Sequence, residues 1–95
     1  MFKDSLVEEA KKLNISEEDI LQIYSIVINV LIEKNVYIVH YSFEYIDDIT
    51  FFTIFVDKPI SEIFDLNWAL SGEIVKLDYY YSDKIMIEIS SYLCI

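Results

Sequence analysis

The sequence predicts an α+β domain of two layers, in the order α-α-β-β-α-β. A three-stranded sheet is built on a hairpin over residues 36–56, with the helices packed on one of its faces. Three observations predict this. Apolar residues recur at three- and four-residue steps in three separate segments, and three other segments are short and rich in β-branched and aromatic residues. Two of those short segments are joined by Asp47-Asp48 alone, which reads as a hairpin turn. The 95 residues contain no internal repeat and no Gly- or Ser-rich linker, so they form a single acidic domain, 1–95.

The first helix is predicted over residues 2–13, where Phe2, Leu6, Ala10 and Leu13 share a face with Val7 beside them. Glu8 and Lys12 are spaced for an i,i+4 pair, and Asn14 is placed to stop the helix. The second helix is predicted within residues 15–35. Ser16 is its N-cap, with Asp19 three residues on, and Ile15 and Ile20 are spaced as a hydrophobic staple. Gln22, Ser25, Asn29 and Glu33 make one thin polar stripe on a helix that is otherwise apolar, and such a helix calls for burial around most of its circumference.

Strands follow over Val36–Ile46 and Ile49–Val56. With the turn at Asp47-Asp48, Phe43 lies across from Phe52, Tyr41 from Ile54 and Val39 from Val56, a ladder of aromatic and β-branched pairs. The other face carries Ile38, His40, Ser42 and Glu44 against Ile49, Phe51, Thr53 and Phe55, a mixture of polar side chains with two phenylalanines. Asp57-Lys58-Pro59 then ends the strand, and Pro59 suits the start of a helix. Ile63, Leu66, Leu70, Ile74 and Leu77 predict that helix over residues 60–77, with Phe64 and Trp68 widening its apolar face and Gly72 inside the pattern. Residues 78–83, Asp-Tyr-Tyr-Tyr-Ser-Asp, read as a loop, and Lys84–Tyr92 as the third strand.

Composition narrows the function. Seventeen acids stand against seven lysines and no arginine, a formal charge of −10 spread along the whole chain. Nucleic-acid binders need a basic footprint to neutralise phosphates, so direct binding to nucleic acid is excluded on charge, and the field instead attracts a basic protein surface. Hydrophobic residues make up 55% of the chain, with one tryptophan, eight tyrosines and six phenylalanines. That is more apolar side chain than a small core usually hides, and it points to an interface, a homodimer among the options. The single cysteine, Cys94, and the charged residues right behind Met1 imply a cytoplasmic setting. The longest apolar run, residues 23–32, is too short to cross a membrane.

Catalytic and cofactor chemistry finds little support. With one glycine in the chain there is neither a P-loop nor a dinucleotide fingerprint. One histidine and one cysteine do not build a zinc site, and Asp47-Asp48 lacks calcium-loop spacing, so no metal or other cofactor is expected. His40, Ser42 and Glu44 share a strand face in a suggestive order, but successive residues on one strand face sit about 7 Å apart, too far for a hydrogen-bonded relay. An enzyme would have to bring His40 and the loop over residues 79–83 together in one deep pocket.

The run Phe55-Val56-Asp57-Lys58-Pro59, a helix, and then Ile87-Glu88-Ile89-Ser90-Ser91 resembles the N-terminal domain of bacterial ribosome-maturation factors over about half the chain, without the glycines of that family around these segments. The resemblance implies an adaptor-type domain. The reading from the residues themselves is a non-catalytic, acidic protein-binding module. It would occlude a basic protein surface as inhibitors, immunity proteins, nucleic-acid mimics and other regulators do, with a self-associating structural or adaptor protein as the alternative. The predicted contact residues are Glu44, Asp47, Asp48, Phe51 and Phe55 on the hairpin and Asp78, Tyr79, Tyr80, Tyr81 and Asp83 in the loop, where tyrosine supplies contact area and the acids suit a cationic partner.

Overall fold

The computed structural model describes residues 2–77 and 84–93. Helices α1 (Phe2–Lys12) and α2 (Glu17–Glu33) precede strands β1 (Ile38–Ile46) and β2 (Ile49–Val56), then helix α3 (Ile60–Ile74) and strand β3 (Ile85–Ser91). The order α-α-β-β-α-β is therefore as the sequence predicts. The sheet runs β1-β2-β3, with β2 central, antiparallel to β1 and parallel to β3. A parallel pair needs a crossover, and α3 supplies it. The helices pack in sequence, α1 on α2 and α2 on α3, with α3 against β3.

Local chemistry sets the element ends. The Ser16 hydroxyl accepts a hydrogen bond from the Asp19 amide at 3.1 Å, and both staple residues, Ile15 and Ile20, are buried. Asn14 and Asn35 have φ of 62° and 56°. After each, the next amide reaches back five residues, Ile15 to the Ala10 carbonyl and Val36 to the Leu31 carbonyl, both at 2.9 Å. These are Schellman closures with asparagine in the left-handed position and a buried apolar contact across each. Asp47 and Asp48 also have positive φ, 50° and 67°, as a two-residue type I′ hairpin turn requires. Among the described residues the four left-handed positions are thus filled by Asn or Asp, the side chains that tolerate that region best.

The hairpin register matches the sequence reading from Ile46↔Ile49 to His40↔Phe55, with Phe43 across from Phe52 and Tyr41 across from Ile54. It slips at one residue. Ile38 pairs with Val56, and Val39 is bulged outward and exposed instead of facing Val56. Beyond the bulge the pairing resumes: the Asp57 amide donates to the Tyr37 carbonyl and the Tyr37 amide to the Asp57 side chain. Strand β1 accordingly starts at Ile38, and Val36 belongs to the closure of α2.

The core lies between the sheet and the helices. Phe52, Ile54 and Val56 of β2 and Ile85 and Ile89 of β3 face Leu6 and Ala10 of α1, Ile20, Ile23, Val27, Val30 and Leu31 of α2, and Leu66, Leu70 and Ile74 of α3. Phe43 stacks on Phe52 at 4.7 Å between centroids, and Tyr41 meets both edge-on. The polar stripe of α2, Gln22, Ser25, Asn29 and Glu33, faces solvent. Lys12 pairs with Glu9 at 3.5 Å; the sequence had suggested Glu8. Helix α3 ends at Ile74, three residues before the predicted Leu77, and runs through Gly72.

Candidate functional site

The face of the sheet turned away from the helices is the one the sequence singled out. Strand alternation puts His40, Ser42 and Glu44 of β1, Phe51, Thr53 and Phe55 of β2, and Met86, Glu88 and Ser90 of β3 on it. Phe51 and Phe55 are half-buried, flanked by exposed Glu44 across from Phe51 and exposed Glu88 across from Thr53. The Thr53 hydroxyl donates to the Glu88 carboxylate at 3.2 Å, which fixes that acid over the middle of the face. His40 lies beside Phe55, 5.6 Å between ring centroids, and is exposed. Asp47 and Asp48 stand exposed at the turn. The structure thus brings Glu44, Phe51 and Phe55 onto one surface, while Asp47 and Asp48 at the turn line a recess on the helix side. Asp78, Tyr79, Tyr80, Tyr81 and Asp83 lie outside the described residues.

A second cluster sits at the turn end of the hairpin, on the helix side, and of its residues the sequence reading had singled out Asp47 and Asp48. Glu9, Lys12, Leu13, Tyr45, Asp47, Asp48 and Thr50 surround a recess of ≈ 610 Å³. Glu9 is only 6% exposed. Its Oε1 accepts from the Tyr45 hydroxyl at 2.5 Å and lies 3.5 Å from Lys12 Nζ, while Oε2 is sealed with no partner among the described residues. The carboxylate pushes the Tyr45 phenol above its usual value, chiefly through the hydrogen bond, then through desolvation and the adjacent negative charge. The spacing did hold a clue: Glu9 falls three residues after Leu6, inside the apolar row of the first helix.

A third surface corrects the sequence reading. Phe64 and Trp68 do not widen the buried face of α3. They are 72% and 74% exposed and stack on each other at 6.3 Å. With Ile60 and Val75, also exposed, they form one outward row at steps of four, four and seven. At 100° per residue, Phe64 and Trp68 lie about 200° from Leu66 and Leu70 of the buried row, and so point away from the core.

Among the described residues no group of three His, Cys, Asp or Glu side chains is placed to hold a metal ion, and no helix is long and apolar enough to cross a membrane. No family model, no curated protein and no solved structure matches the chain. The resemblance to ribosome-maturation factors gains no support from these comparisons.

Proposed function

We propose that the chain is a non-catalytic protein-binding module that docks on a basic protein surface through the helix-free face of its sheet. One observation carries this reading. The face has an aromatic centre, Phe51 and Phe55, and the charged strand residues around it are acids, Glu44 and Glu88. Aromatic centres with polar rims are the usual anatomy of a contact surface, and like-signed rim charges select an oppositely charged partner and speed its approach. The overall charge of −10 adds long-range attraction of the same sign. Occlusion of the partner's surface is then the mode of action, and no bond is made or broken.

The test uses three baits side by side against one lysate of the source cell: the native chain, Phe51→Ala and Glu44→Lys. Support requires a protein held by the native chain and lost from both variants, with retention that falls as salt is raised. Equal retention on all three baits, or retention indifferent to salt, rejects the reading.

A further inference from the structure

The only glycine of the chain, Gly72, lies inside α3, where glycine costs about 1 kcal/mol relative to alanine. It is not there for backbone freedom. Among the described residues the left-handed positions are filled by Asn14, Asn35, Asp47 and Asp48, and Gly72 has no positive φ and lies within the helix. Nor does the fold crowd it: apart from its chain neighbours and the backbone of its own helix, a Cβ built at Gly72 would meet nothing within 4 Å. The missing side chain instead opens a dent of ≈ 290 Å³ on the outer surface, lined by Trp68, Ser71, Gly72 and Val75. One turn away on the same helix stands the largest exposed ring, Trp68, stacked on Phe64. A projection and a hollow one turn apart on one helix are self-complementary.

We propose that α3 is a homotypic interface, on which a second copy of the chain packs antiparallel across a two-fold axis near Ala69 and Leu70. In that arrangement Trp68 of one copy enters the Ser71–Gly72 hollow of the other, and Phe64 of one lies against Val75 of the other. Both contacts then repeat by symmetry, as an isologous interface requires. Charge selects the antiparallel sense. The first half of α3 carries Glu62 and Asp65, while Lys76 follows its end, exposed and paired at 3.1 Å with exposed Glu73. Antiparallel packing sets Glu62 and Asp65 of one copy against the mutually neutralised Glu73–Lys76 pair of the other, whereas a parallel pair would set Glu62 and Asp65 against themselves.

The size also fits a second copy. The exposed fractions of Ile60, Phe64, Trp68 and Val75 leave about 500 Å² of apolar surface per copy, or about 1,000 Å² for the pair, the lower limit for a specific contact. The dimer is therefore weak and exchanging. Two chains of −10 repel each other, so added salt tightens it, the opposite of the salt response of the sheet-face docking. The inference stands on different residues from that reading and survives its failure.

The experiment is sedimentation equilibrium of the full chain from about 1 µM to 1 mM, at low and high salt, with the emission of its one tryptophan followed in parallel. Self-association with a Kd on the order of 10–100 µM, tighter at high salt and accompanied by a blue shift of Trp68, is expected. Trp68→Ala weakens it about 30-fold or more, as loss of a central tryptophan does. Gly72→Leu fills the hollow, so it abolishes the dimer while raising the melting temperature of the monomer, which separates a blocked interface from a damaged fold. The swap Trp68→Gly with Gly72→Trp exchanges projection and hollow and restores association. A chain that stays monomeric to 1 mM at high salt, or a dimer that tolerates both Trp68→Ala and Gly72→Leu, overturns the proposal.

Discussion

Asn67 is the polar residue on the inward side of α3, and its side chain does the work of a missing strand. Its Oδ1 accepts from the Ile89 amide at 2.8 Å and its Nδ2 donates to the Ile89 carbonyl at 2.9 Å, so both backbone groups of one β3 residue are satisfied by one amide. β3 is an edge strand, and an open edge invites pairing with other chains. Replacing Asn67 by alanine removes two hydrogen bonds, each with a net value of about 0.5–1.5 kcal/mol, for a loss of about 2 kcal/mol where water can enter the gap. Replacing it by leucine removes the same bonds and blocks the water, leaving two part-buried backbone groups unsatisfied. Leucine should therefore cost more than alanine, although both are better helix formers than asparagine. A domain of this size loses about 4–8 °C of melting temperature per kcal/mol, so the alanine variant should melt about 8–16 °C lower and the leucine variant lower still. Thermal unfolding followed by circular dichroism gives the first number, and amide hydrogen exchange gives the location: Ile89 should lose protection before Ile54 in the central strand does. A melting point within about 2 °C of the native chain for both variants, with Ile89 as protected as before, would refute the edge-capping argument.

Three further outcomes follow from the packing. Ser16→Ala deletes the cap of α2 and should cost about 1 kcal/mol, read as a lower denaturant midpoint with an unchanged slope. Phe52→Ala empties a fully buried site stacked on Phe43 and should cost about 3–5 kcal/mol, a large share of the stability of a domain of this size, read as a strongly lowered denaturant midpoint. Tyr45 holds its proton more tightly folded than unfolded, so its contribution is intact below the unfolded value of about pH 10 and is lost as pH rises through the raised folded value. Tyr45→Phe should therefore flatten the alkaline fall in stability above pH 10, while the native chain keeps the steeper slope.

Much of the fold is legible locally. The turn at Asp47-Asp48 fixes the hairpin register because a two-residue loop leaves one pairing, and Ser16, Asn14 and Asn35 mark helix ends through bonds that span five residues or fewer. The failures are nonlocal. Nothing within residues 36–46 shows that Val39 is bulged, since that follows from how β1 leaves α2 and joins β2. Phe64 and Trp68 sit on a helix apolar around most of its girth, so periodicity locates a wide band without saying which arc faces the sheet. Asn67 was the available discriminator: a polar side chain level with Leu66 and Leu70 needs a buried partner, and finding Ile89 there sets the rotation of α3 and turns the tryptophan outward. The Glu9–Tyr45 bond joins residues 36 apart, and only the folded chain shows it.

The two proposed surfaces belong to opposite sides of the two layers, and that has a consequence for binding strength. The α3 row points away from the core and the docking face lies beyond the sheet, so a pair joined through α3 leaves both acidic faces free. Such a pair is bivalent, and on a target that presents basic sites at matching spacing the second contact is intramolecular, raising apparent affinity by a factor of about 10²–10⁴ with no new contact at the face. Gly72→Leu separates the two effects because it leaves Glu44, Phe51 and Phe55 untouched. On a surface bearing immobilised partner at high density, this variant should dissociate much faster than the native chain, while at low density the two should dissociate alike. Equal dissociation at both densities would mean that the sheet face binds as a single site and that the helix pair contributes nothing to it.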